Sequence, residues 1–163
     1  MKIRPLTPND EALLWPFLML AAHEEDIDRV RENPQLARYV VGWGRSGDSG
    51  FVAFDEQNKA IGAVWLRLWP HSDKGFGWIA DDVPELAMAI VSSRRGEGIG
   101  TRLLNEVLQT GRERHRAISL SVREDNAAMR LYRRVGFEKV PGSETTNRVG
   151  SLSFTMKCNL GRN

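Results

Sequence analysis

With 163 residues, 41% of them hydrophobic and 27% charged, the chain is long enough to bury a continuous core and short enough to form one domain over 1–163. Twenty-three basic residues against twenty-one acidic ones leave a net charge of +2, a balance that argues against nucleic acid as the default partner. The single cysteine, Cys158, excludes an internal disulfide and suits a reducing, cytoplasmic setting, and His23, His71 and His115 lie too far apart for metal-ligand spacing, so no metal site is expected.

Residues 2–5 read as a first strand, followed by Thr7-Pro8-Asn9-Asp10 as turn and cap and a helix to about Ala22, with a kink or early break expected at Pro16. The apolar run 12–22, preceded by Lys2 and Arg4, resembles a signal-peptide core. Against that, Asp10 and Glu11 stand where a secretory segment is positively charged, and the run is too short to span a bilayer, so no membrane association is expected. A second helical piece, interrupted at Asn33-Pro34, carries the chain to Val41. Gly42, Gly44, Gly47 and Gly50 then read as a flexible connection.

Residues 50–56 and 60–69 form an antiparallel hairpin in this reading, and 70–82 a looser region holding Gly75, Phe76, Gly77 and Trp78. The nearly continuous apolar run from Glu85 to Ser93 is a central strand buried on both faces. A helix follows from Ile99 to about His115, then a strand over 117–123, a helix over 126–135 capped by Asp125 or Asn126 and ended by Gly136, and closing strands over 137–140 and 151–158 joined by a polar loop. The order βααβββαβαββ describes a mixed α/β fold with helices packed on a central sheet.

The chemistry concentrates where the central strand meets the helix from Ile99. A glycine-rich turn there, Arg95-Gly96-Glu97-Gly98-Ile99-Gly100, opens a helix whose first N–H groups point outward, and this suits an anion. Arg94, Arg95 and Arg102 are placed to add charge-assisted contacts. No Gly-Lys-Ser/Thr ending makes it a P-loop, and the third glycine of the dinucleotide fingerprint is missing. Taken alone, the turn is also consistent with a tight strand-to-helix connection carrying solvated arginines.

Arg-x-x-Gly-x-Gly after a buried strand resembles the coenzyme-A loop of the GNAT acyltransferase superfamily. Residues 126–137, Asn-Ala-Ala-Met-Arg-Leu-Tyr-Arg-Arg-Val-Gly-Phe, are similar to that family's pattern of an Asn and a small residue ahead of Tyr-x-x-x-Gly-Phe, with Met129 after the small residues Ala127 and Ala128. The resemblance is strong from 85 to 137 and weak before Gly50. It implies a GNAT-type α/β fold: a mostly antiparallel sheet of about six to seven strands, splayed at the cofactor site, with helices on both faces. It implies acetyl-coenzyme A as donor, its pantetheine arm along Ile90 and Val91 and its pyrophosphate on Arg95, Gly96, Glu97, Gly98, Gly100 and Thr101. Ser92-Ser93 stands where many relatives have proline.

The same resemblance makes Tyr132 the acid for the departing thiolate, the alternative being a core aromatic with a hydrogen-bonded hydroxyl. Glu85 matches a glutamate that many relatives use, directly or through water, as base. It stands one residue out of register, so a strand-edge carboxylate in solvent is equally consistent, and Asp81 and Asp82 are further candidates. Asn126 reads as a cap, a cofactor contact, or both.

The acceptor is a small-molecule or peptide amine in this reading, with Trp43, Trp65, Trp69, Phe76 and Trp78 available to line an aromatic pocket and a homodimer admitted by the habits of the family. Glu24, Glu25, Asp26 and Asp28 read as a solvated helix start rather than a cation trap. Two readings of other classes stand beside it. One is a non-catalytic acyl-coenzyme-A-binding module. The other is a nucleic-acid-associated protein using Arg112, Arg114, Arg116, Arg123, Arg130, Arg133 and Arg134, against which Glu113, Glu124 and Asp125 interleave with the arginines.

Overall fold

The computed structural model of the chain describes residues 1–147 and 149–161; Arg148, in the polar loop expected over 141–150, lies outside them. The elements gather into two compact units, Met1–Arg67 with Ala87–Val107, and Leu68–Leu86 with Leu108–Asn163.

The first unit opens with strand β1 (Lys2–Pro5), which pairs antiparallel with β2 (Ser49–Phe54) from Lys2↔Phe54 to Pro5↔Phe51. Thr7 and Asp10 form a reciprocal cap after β1: Asp10 Oδ2 accepts from the Thr7 N–H at 2.7 Å, and Thr7 Oγ1 accepts from the Asn9 N–H at 3.3 Å. Helix α1 (Glu11–Ala21) buries Leu14, Trp15, Phe17 and Leu18. The break expected at Pro16 does not occur. Pro16 and Ala12, whose carbonyl loses its usual partner, both lie on the exposed side, where water can take that hydrogen bond.

Two short helices follow, α2 (Ile27–Glu32) and α3 (Pro34–Ala37), capped by the side chains of Asp26 and Asn33 and separated at the expected Asn33-Pro34 step. The connection after them is pinned rather than flexible. Arg67, at the end of β3 (Ala60–Arg67), donates to Asp48 at 2.8 and 3.0 Å and to the carbonyls of Arg38 and Val41 at 2.8 and 2.7 Å. Glu11 Oε1 accepts from the Gly42 and Trp43 N–H groups. These bonds satisfy backbone groups that a loose segment would leave to solvent.

β2 and β3 make the expected antiparallel hairpin, closed by Asp55, whose carboxylate accepts from the Gln57 and Lys59 N–H groups at 2.9 Å each. Strand β4 (Glu85–Ile90) is shorter than expected and gives way at Ser92–Arg94 to a 3-10 turn. Helix α4 (Ile99–Gly111) buries Ile99, Leu103, Leu104, Val107 and Leu108, the stripe its sequence spacing predicts, and ends before His115.

In the second unit, β5 (Ala117–Arg123) falls on its expected bounds, followed by helix α5 (Met129–Arg134), β6 (Glu138–Lys139), β7 (Thr145–Thr146) and β8 (Leu152–Asn159). β5 pairs antiparallel with β8 along its whole length and parallel with the start of β4 at Glu85↔Ser119. The other edge of β8 is covered in two segments by β6 and β7, so β7 puts a strand inside the expected loop. Ile118, Leu120, Phe137 and Met156 fill the core of this unit. Cys158 is buried, and burial pushes its thiol pKa up.

The sheet order is β1-β2-β3-β4-β5-β8-β6, with β7 on β8. This is the mixed α/β, mostly antiparallel architecture expected, its sheet counting eight strands among the described residues. Among the described residues no helix is long and apolar enough to cross a membrane.

Candidate functional site

The expected cofactor residues of the first unit form one continuous stretch. Ile90 ends β4 and Val91 follows it, both half-buried, and the Val91 N–H donates to the Ile61 carbonyl at 2.9 Å. Gly96 and Gly98 both adopt φ +81°, and a Cβ built on either would meet nothing within 4 Å. Glycine is therefore required for backbone conformation, not for space. The first helical hydrogen bond of α4 comes only at the Arg102 N–H to Gly98 carbonyl, 3.2 Å. The N–H groups of Ile99, Gly100 and Thr101 have no partner within the helix, and its dipole adds partial positive charge there.

Around this turn the side chains divide. Arg94 is held by its own neighbours, its Nε 3.1 Å from both Glu97 carboxylate oxygens and its Nη1 3.7 Å from Asp55 Oδ2. Arg95, Gly96, Glu97, Gly98 and Arg102 are exposed, Thr101 is half-buried and Gly100 is buried. The turn thus presents open amides with exposed arginines beside them, a donor set that fits a phosphate or pyrophosphate.

The second unit holds the expected acid and base residues. Tyr132 lies on α5, 6% exposed and edge-on to Phe137, with ring centroids 5.8 Å apart. Burial raises its pKa to about 12, which keeps the hydroxyl protonated throughout the neutral range. Asn126 lies two residues before the start of the Ala128 cap position, and its Oδ1 accepts from the Ala128 N–H at 2.8 Å. It shapes the turn leading into α5 rather than capping the helix.

Glu85 is buried at 3% exposure, which removes the solvent-edge reading, and its Oε1 accepts from the Trp69 indole N–H at 2.9 Å. The segment expected to be loose packs onto it: a Cβ on Gly75 would fall 2.4 Å from Glu85 Oε1, and one on Gly77 3.1 Å from Glu85 Cδ. Ser119, its register partner on β5, is fully buried, and its Oγ is without a hydrogen-bond partner among the described residues. Asp81 and Asp82, the alternative bases, are exposed. Asp82 is paired with Arg116 at 2.8 Å, and Asp81 accepts from the Trp78 indole at 3.2 Å.

The aromatic pocket is largely overturned. Trp43 and Trp65 are buried, and their indole N–H groups donate to the carbonyls of Thr7 and Tyr39; Trp69 is committed to Glu85. Phe76, at 49% exposure, and the half-buried Trp78 remain at the surface. Sequence reasoning missed Trp69 as a partner of Glu85. The one available signal was the pair of glycines two residues apart in a segment that needs neither for a left-handed turn.

The family described as "Acetyltransferase (GNAT) family" matches residues 12–137. The N-alpha-acetyltransferase RimI of Mycobacterium tuberculosis is 44% identical over 69 residues, 41% of this chain and 42% of that protein, so the match spans under half of the relative's length. Among solved structures, an acetyltransferase of the GNAT family from Streptococcus pneumoniae superposes with a TM-score of 0.74 at 21% identity, covering 98% of this chain and 99% of that one. The ribosomal-protein-alanine N-acetyltransferase of Brucella melitensis gives 0.70 at 22% identity over 98% and 99%. At these identities the structures share a fold with this chain.

Proposed function

The chain belongs to the acetyltransferase (GNAT) family, and from that premise we propose that it transfers an acetyl group from acetyl-coenzyme A to a primary amine by direct attack, as one acyltransferase domain. The observation that carries the reading is the pair of glycines at φ +81° ahead of α4, which leaves a row of open amides where a pyrophosphate needs donors. Gly96, Glu97, Gly98, Gly100 and Thr101 hold it through their backbone, since the Glu97 carboxylate is already engaged by Arg94. Arg95 adds charge, Ile90 and Val91 offer strand backbone to the pantetheine arm, and Asn126 keeps the approach to α5 in shape.

Acetyl-coenzyme A, when bound, supplies the thioester carbonyl that the amine attacks. Glu85 takes a proton from the amine nitrogen, directly or through water. Tyr132 holds a proton at its Oη for the leaving sulfur, and its raised pKa keeps that proton in place until it is needed. The new N–C bond and the broken C–S bond balance with one proton moved to Glu85 and one given up by Tyr132.

For the acceptor, the α-amine of a peptide or protein N-terminus is the reading best supported. The relative with 44% identity is an N-alpha-acetyltransferase, and a structure of the same fold is named for ribosomal-protein alanine. The lone buried thiol of Cys158 agrees with work in the reducing interior of the cell. The test is release of free coenzyme-A thiol in the presence of a peptide with an N-terminal alanine, spermidine, or free lysine. Turnover with the peptide alone supports the assignment. Turnover with another amine moves the substrate class, and none with any amine favours a binding module.

A further inference from the structure

The Glu85 carboxylate accepts from a buried indole, Trp69 Nε1 at 2.9 Å, and Trp69 itself is 1% exposed. Backbone packs close beside this pair. A Cβ on Gly75 would lie 2.2 Å from Trp69 Nε1 and 2.4 Å from Glu85 Oε1, and one on Gly77 2.8 Å and 2.9 Å from the backbone of β5 at Leu120 and Ser121. Neither glycine has a left-handed φ, so both are explained by proximity alone. The Gly75–Gly77 segment therefore seals one side of the Trp69–Glu85 pair.

A general base must be held in a fixed orientation toward the proton it takes. The Trp69 N–H fixes one carboxylate oxygen, and a glycine-lined cover removes the freedom of a long side chain. We propose that Trp69 is a positioning residue for acetyl transfer, holding the Glu85 carboxylate in its working orientation under the Gly75–Gly77 segment. This rests on the reading of Glu85 as the base.

The test is a double-mutant cycle with acetyl-coenzyme A and a peptide bearing an N-terminal alanine, plus one spectroscopic measurement. Trp69→Phe is expected to lower kcat about tenfold, the size of one hydrogen bond to a charged group, with KM for acetyl-coenzyme A unchanged. In a Glu85→Gln background the same change should cost nothing further, because the group it positions is gone. A tenfold loss in both backgrounds, or a rise in KM for acetyl-coenzyme A in place of the fall in kcat, would make Trp69 a packing residue and overturn the proposal. Full turnover by Glu85→Gln removes Glu85 from the chemistry and defeats the underlying reading instead. Should Trp69→Phe fail to fold, the indole N–H resonance of Trp69 is compared between the wild-type and Glu85→Gln proteins. A clear displacement supports the bond to a charged carboxylate, and an unmoved resonance refutes it.

Discussion

Arg67 and Asp48 face each other almost wholly out of water, with side chains 1% and 2% exposed and Nη2 2.8 Å from Oδ2. The guanidinium also holds two carbonyls of the chain between α3 and β2, and Asp48 also accepts from the Gly44 and Arg45 N–H groups. A buried pair of this kind adds little over an apolar pair of equal volume, but removing one partner leaves an uncompensated charge. Arg67→Met is therefore expected to lower unfolding free energy by about 3–5 kcal/mol in denaturant titration. Arg67→Met with Asp48→Leu should recover part of it. A loss under about 1 kcal/mol for the single change would mean that the carboxylate finds water.

Gly98→Ala separates conformation from crowding. The added Cβ meets nothing, so the cost of about 1–2 kcal/mol comes from holding alanine at φ +81°. Relaxation of that strain would rotate the neighbouring amides, and coenzyme-A affinity measured by calorimetry is expected to fall about tenfold. Unchanged affinity would separate the turn from cofactor binding.

Tyr132→Phe removes the hydroxyl and keeps the ring against Phe137. Turnover is expected to drop by about 10²–10⁴, the usual range for an acid–base group, with coenzyme-A affinity intact. Unaltered turnover would leave Tyr132 as packing only.

Asp10 has a pH signature. Its carboxyl is held below the ordinary range first by the hydrogen bond from Arg4, with help from the Thr7 N–H and against the opposing effect of burial. A depressed carboxylate contributes stability that is fully present above its unfolded pKa of about 4 and is lost as pH falls through the lower folded value. Asp10→Asn should thus be less stable than wild type at pH 7, and the gap should close as denaturation is followed below pH 4. A gap that is constant with pH would place the effect in the cap geometry instead of the charge.

The parts legible in the sequence were those fixed by local pattern. β5 is bounded by a basic tail and a polar turn, and α4 carries its apolar residues at helical spacing, so both were readable from neighbours in the chain. The turn at Gly96 and Gly98 was readable because only glycine is comfortable at that φ. What escaped was set by partners far along the chain. Arg67 reaches back to Asp48 and turns a glycine-rich stretch into an anchored one, while β6 and β7, two residues each, are strands only because β8 supplies an edge. The tryptophans misled for the same reason: an indole reads as available for ligand until its N–H is seen to reach a distant carbonyl or carboxylate.

Cys158 gives the second unit a built-in clock. Its thiol lies on β8 at 3% exposure, with Sγ 3.9 Å from the Val135 carbonyl, and burial keeps it in the unreactive protonated form. An alkylating reagent can reach it only when the packing around it opens locally. The rate at which one sulfur atom is consumed therefore counts opening events, and any ligand that steadies this part of the molecule should slow that count without touching the cysteine.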